Sequence, residues 1–120
     1  MGLYLRRAND LDKKKIWEWA NEEETRNNSF HTESISWQEH EVWYDKILNS
    51  DKEALFVCMD FMKPVGNIYV DWTKEEKAYI SYNVDPEYRE RGYEQQMLAL
   101  MEQEMRGKLG ENTCFYAEVK

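Results

Sequence analysis

The sequence is poor in the residues that build metal centres and covalent frameworks. It has two cysteines, Cys58 and Cys114, and two histidines, His31 and His40, in 120 residues. There is no CxxC pair and no His cluster, which argues against a zinc site. Each cysteine sits inside an apolar run, so both are expected as buried, reduced thiols of a cytoplasmic protein. The histidines fall on different predicted elements and are expected as surface or capping residues. No apolar stretch approaches the ~20 residues a membrane helix needs. Residues 1–7 lack the apolar core of a signal peptide. Positive charge is scarce as well: 16 Lys and Arg against 24 Asp and Glu leave a net charge of −8. Such a balance argues against nucleic acid and anionic membrane as partners. Internal repeats, low-complexity segments and linkers are absent, so residues 1–120 read as one domain with one core.

What is present is aromatic and patterned, with five Trp and eight Tyr. The strongest pattern spans residues 77–105. Residues 79–84 are rich in aromatic and branched side chains, as a strand should be. Pro86 cannot donate to a ladder and keeps Asp85 extended, so the strand stops there. After Gly92 the period changes. Tyr93, Met97, Met101 and Met105 recur every four residues, which predicts a helix with one apolar face. The first N–H groups of such a helix lack partners and, with the helix dipole, form an anion site. Arg89 and Arg91 add charge, and Gly92 allows close approach to the backbone.

The rest of the chain supplies a sheet around this unit. Residues 3–6 read as a strand. Asn9 is an N-cap, with Asp10 and Asp12 in the first turn of a helix over 10–21. Leu11, Ile16, Trp19 and Ala20 are expected to face a core, and Lys13, Lys14 and Lys15 to form a solvated face. Residues 22–32 read as a polar loop. Ser36 and Glu39 form a capping box before a helix over 37–49, which carries Val42, Trp43, Tyr44, Ile47 and Leu48. Strands are predicted over 54–59, 65–72 and 113–119, with turns at 62–64 and 73–76. Gly107 and Gly110 close the third helix. The order is β-α-α-β-β-β-α-β. That predicts an α/β (α+β) fold: a mixed, mostly antiparallel sheet, with helices on both faces and a right-handed parallel crossover at the end.

Val84-x-Pro86-x-x-Arg89-x-x-Gly92 resembles the acetyl-coenzyme A signature of the GNAT N-acetyltransferase superfamily. Leu5-Arg6-Arg7-Ala8 resembles the family's opening, residues 64–68 its third strand and residues 115–119 its fifth. Within the family, Trp19-Ala20-Asn21, residues 26–30 and Ile35-Ser36-Trp37 are similar to the amino-sugar acetyltransferases of the pseudaminic-acid pathway. The resemblance implies acetyl-CoA as co-substrate, contacted by Val84, Arg89, Glu90, Arg91, Gly92, Tyr93 and Glu94. It implies a small-molecule primary amine as acceptor, on a nucleotide-linked sugar in that branch, with Trp19, Asn28, Ser29, Phe30 and Trp37 on the acceptor side. Strands four and five are expected to splay around the pantetheine arm. In the family a backbone N–H of strand four polarises the thioester carbonyl, and the resemblance implies the same here. Ser81 and Tyr79 through water, or Glu118, are open as proton carriers, and no catalytic residue is assigned.

Two departures accompany the resemblance. The family has Gly or Ala where this chain has Glu94, and a carboxylate there repels a pyrophosphate. The family continues into a helix and two more strands after the fifth, so the chain reads as C-terminally truncated or as a fragment. A catalytically silent binding or assembly module is the alternative. The final strand would then form an aromatic sheet edge, which predicts a homodimer.

Overall fold

The computed structural model describes residues 2–22, 34–73 and 77–117. Its elements are β1 (Leu3–Arg7), a 3-10 turn at Asp10–Asp12, α1 (Lys13–Ala20), α2 (Trp37–Leu48), β2 (Glu53–Asp60), β3 (Lys63–Asp71) and β4 (Lys77–Val84). A second 3-10 turn, Pro86–Tyr88, leads to α3 (Tyr93–Leu109) and β5 (Cys114–Ala117). The five strands lie in the order β1-β2-β3-β4-β5. Short links make the β2–β3 and β3–β4 ladders antiparallel, β1 joins β2 antiparallel after the chain has passed through α1 and α2, and the α3 crossover makes β4–β5 parallel. The expected architecture is the one observed.

Helices cover both faces of the sheet. On one, α3 lays Tyr93, Met97, Met101 and Met105 against Phe56, Cys58, Ile68, Val70, Ile80 and Val84. On the other, Ile16 and Trp19 of α1 and Tyr44 and Ile47 of α2 pack on Leu55, Val57 and Met59. Strand β2 is therefore buried on both sides over nearly its whole length. Gly66 lets α3 sit close to the sheet. A Cβ there would lie 2.4 Å from the Asn83 carbonyl oxygen and 3.0 Å from the Met97 methyl.

Several local expectations change. Asn9 caps as expected, but with Asp12 it closes a capping box on a 3-10 turn, and α1 starts only at Lys13. Leu11, in that turn, is 91% exposed rather than in the core. The lysine run is not simply solvated. Lys13 lies 3.7 Å from Asp45 and over the Tyr44 ring, and Lys15 lies 3.6 Å from Asp85. Cys58 is buried, whereas Cys114 is exposed because β5 lies at the sheet edge. Strand β3 begins at Lys63 and runs through Pro64, which lies at a register break opposite Met59. Helix α3 passes through Gly107 and ends at Gly110, whose φ is 113°.

His40 departs furthest from expectation. It is buried, not on the surface, and packs among Trp37, Trp43 and Tyr44. Its Nε2–H donates to the Lys13 carbonyl at 2.8 Å, joining α2 to α1. His31 lies outside the described residues. Burial lowers the His40 pKa, as does the nearby Lys13 ammonium, against the raising effect of the Lys13 carbonyl bond. The folded state thus prefers neutral imidazole, and the unfolded chain takes the proton first. Stability is full above about pH 6.5 and falls as pH drops below it. Thermal unfolding between pH 8 and 5 should show the melting temperature falling below about 6.5 in the native protein. His40→Gln, which keeps a donor to Lys13, should be flat across the same window.

Candidate active site

The site is built on the link between β4 and α3. The ladder to β3 continues one residue past β4, through Asp85 N–H to the Val65 carbonyl at 2.8 Å. Pro86 then starts the 3-10 turn, which the Asp85 carboxylate caps by accepting from the Glu87 N–H at 2.9 Å. The other oxygen of Asp85 accepts from the Trp19 indole N–H at 2.8 Å. Burial alone would raise this carboxyl. The Trp19 and Glu87 hydrogen bonds and the Lys15 ammonium outweigh it, and its pKa lies below the ordinary value.

Arg89 is held on both sides of its fork. Its Nε–H donates to the Val84 carbonyl at 3.1 Å, and Nη1 lies 2.9 Å from Glu22 at the end of α1. The charge of Arg89 therefore braces the loop. Glu90 and Gly92 follow with φ of 63° and 79°. Two left-handed residues so close together turn the backbone sharply into α3. Among the described residues no side chain caps the first N–H groups of α3, and the space a Cβ of Gly92 would take is open. Arg91 is exposed, with its guanidinium carbon 5.4 Å from the centre of the Tyr88 ring. Tyr88 meets Tyr93 edge to face, and the Tyr93 hydroxyl donates to Asp60 at 2.7 Å. That hydrogen bond, with a smaller effect of burial, raises the Tyr93 pKa. The result is an uncapped helix N-terminus on a braced loop, beside an accessible guanidinium. These are the groups a diphosphate needs, so the residues present fit coenzyme A.

Strand β4 supplies the adjoining edge. Among the described residues its ladder with β5 ends at Ile80 opposite Ala117, and residues 81–84 continue beyond it. Ile80 and Val84 face α3, while Tyr79, Ser81 and Asn83 face the side of α1 and α2.

Among the residues singled out from sequence, 84 and 89–94 come together around this loop. Val84 is buried, Glu90 exposed, and Glu94 half-buried in the first turn of α3. Trp19 sits beneath the loop and is only 3% exposed. Trp37 packs on Trp17, at 5.2 Å between ring centres. Asn28, Ser29, Phe30 and Glu118 lie outside the described residues. The chain leaves α1 at Glu22 and is pinned again beside it, where Asn21 bonds both the N–H and the carbonyl of Ile35. Sequence reasoning missed Asp85, Lys15 and Glu22 as braces. An Asp before Pro was a readable turn signal; the partners of the other two come only from the fold.

No curated protein matches the chain in sequence. Solved structures do match its fold. The spermidine N-acetyltransferase of Vibrio cholerae, crystallised with CoA and spermine, superposes with a TM-score of 0.85 at 20% identity. The match covers 98% of this chain and 71% of that one. A domain from Methanocaldococcus jannaschii gives 0.75 at 13% identity, over 90% of this chain and 71% of that one. A dodecameric form of the Vibrio enzyme gives 0.72 at 21% identity, over 90% of this chain. This chain spans 64% of that form's length. A family model described as the acetyltransferase (GNAT) domain matches residues 5–119. The chain therefore belongs to the GNAT acetyltransferase family, whose members use acetyl-CoA as co-substrate.

Proposed function

We propose that this chain transfers an acetyl group from acetyl-CoA to a primary amine. The observation that carries the reading is the uncapped start of α3, set behind Arg91 and next to the end of β4. Bound acetyl-CoA supplies a thioester carbonyl for the amine to attack. The backbone N–H groups at the start of α3 hold its diphosphate, Arg91 neutralises it, and Arg89 keeps the loop in place. The N–H groups of Tyr82 and Val84, which alternate away from the β3 ladder, are the ones that would polarise such a carbonyl. Ser81 and Tyr79, on the acceptor side of β4, carry the amine proton away through water, and the C–S bond breaks to release the coenzyme A thiolate, which takes up a proton from solvent.

The acceptor is an amine of one of two kinds. The sequence resemblance implies an amino sugar linked to a nucleotide. The net charge of −8 instead favours a cationic amine over an anionic nucleotide sugar. Calorimetric titration with acetyl-CoA tests the donor half. Native protein should bind it saturably, and more weakly as salt is added. Arg91→Ala should cost about 1 kcal/mol, roughly fivefold in affinity, and flatten the salt dependence. Absence of binding in the folded native protein removes the reading.

A second reading, a binding or assembly module without turnover, rests on Glu94 at the mouth of the loop. Glu94→Gly removes a charge beside the diphosphate and should tighten acetyl-CoA binding by about 1 kcal/mol. Its cost to the helix, roughly 0.5–1 kcal/mol, appears separately as a lower melting temperature. Unchanged affinity would show that Glu94 points away from the phosphates.

Strand β5 also carries the proposal of a two-fold dimer. It lies at the sheet edge with Cys114, Tyr116 and Ala117 exposed, and unpaired strand edges recruit other strands. Sedimentation equilibrium over a wide concentration range should show a monomer–dimer equilibrium. A strict monomer would remove the dimer and leave the transferase reading intact.

A further inference from the structure

Glu53 and Asn67 are both buried, at 6% and 4% exposure. Among the described residues, Glu53 Oε2 and Asn67 Oδ1 meet no hydrogen-bond partner. Buried acceptors are nearly always paired, since leaving one dry costs its full desolvation. These two lie on one face of the sheet. Asn67 stands opposite Val57, Tyr69 opposite Leu55 and Asp71 opposite Glu53 in the β2–β3 register. Leu55 and Val57 mark this as the face of α1 and α2, where Trp43 meets the Tyr69 ring at 5.5 Å. After burial, the largest cause, the carboxylates of Asp71 and Glu53 help to push the Tyr69 hydroxyl's pKa up. The row is thus a phenol between two carboxylates at one end and an amide oxygen at the other. It spans about 13 Å along β3, at the usual rise per residue. No ion pair to Glu53 or Asp71 is present among the described residues. Across the next ladder lie Tyr79, Ser81 and Asn83 of β4. Ser81 is exposed and Tyr69 and Asp71 are partly exposed, which opens the row toward the strand assigned to acetyl transfer.

We propose that Glu53, Asn67, Tyr69 and Asp71 form a subsite for a linear diamine or polyamine, holding the ammonium group remote from the one that reacts. The proposal rests on the amine-transferase reading and names its substrate class. An ammonium offers three donors and one positive charge. It satisfies Glu53 Oε2 and the neighbouring carboxylate together, and the chain's length carries a second amine toward Ser81. A monoamine, or an alcohol of the same length, satisfies one end only or neither.

The test is calorimetric titration of the whole protein with 1,4-diaminobutane, with 1,4-butanediol, and separately with acetyl-CoA. The diamine should bind saturably and the diol should not. Glu53→Gln should weaken the diamine by about tenfold or more while leaving acetyl-CoA affinity unchanged. Tyr69→Phe, which keeps the ring on Trp43, should weaken it by less. If Glu53→Gln folds poorly, the diamine-induced rise in melting temperature of Tyr69→Phe against native protein gives the same reading. Equal diamine affinity in native protein and both variants overturns the subsite. So does a native protein that binds acetyl-CoA but no diamine. A Glu53-dependent diamine signal without acetyl-CoA binding would keep the subsite and remove the transferase reading.

Discussion

The rest of the site depends on one carboxylate, that of Asp85. It caps the turn that follows β4, and the same side chain takes the indole N–H of Trp19 and lies near the Lys15 ammonium. A turn fixed only by its own backbone would be free to tilt relative to the helices. Here it is tied to α1, on the opposite face of the sheet from α3. The Arg89–Glu22 pair adds a second tie, just past the end of the same helix. The two ties fix where α3 begins, and so where its unpaired N–H groups point. Anion binding at a helix start is cheap in residues but demands orientation.

The electrostatics follow from that division of labour. An acidic chain must bind an anion with few cations, so each guanidinium has one task. Arg89 is partly buried and paired, which suits a brace. Arg91 is exposed against an aromatic ring, which orients it without neutralising it. The same acidity would favour the proposed cationic acceptor. A row of carboxylate, phenol and amide oxygens under Trp43 gives the negative charge a local address rather than leaving it as a diffuse surface property. On the proposed reading, donor and acceptor sides would be distinguished by sign across the width of one strand.

Much of the fold was legible because it rests on local rules. The four-residue stripe of Tyr93, Met97, Met101 and Met105 is a helix face in the sequence and in the structure. Asn9 and Ser36 announce their caps, and Pro86 ends its strand. The loop at 89–94 was readable because its glycine and arginines are neighbours. What was not readable is whatever depends on partners distant in sequence. His40 looked like a surface residue because nothing nearby says that three aromatic rings will enclose it. Trp19 read as core or as pocket, and only the contact with Asp85 shows how it serves the loop. Leu11 misled in the other direction: its helix-like spacing was overridden by the Asn9–Asp12 box, which tightens the turn. Glu53 and Asn67 were invisible, because a buried acceptor without a partner has no signature in a string of letters.

The pairing of β1 with β2 has a consequence for how the chain reaches this structure. Leu3 lies opposite Asp60, and Arg7 opposite Phe56. Between them lie α1, α2 and the segment that joins them. The β2–β3–β4 meander, by contrast, closes through short turns. Loop closure costs more entropy as the loop lengthens, and long-range pairings slow folding. The meander can therefore collapse early, while β1 must wait for the fifty-odd residues that follow it before it has an edge to join. Until then one side of β2, among the most apolar surfaces in the molecule, stays open. The interval before β1 docks is when this chain is most exposed to mispairing.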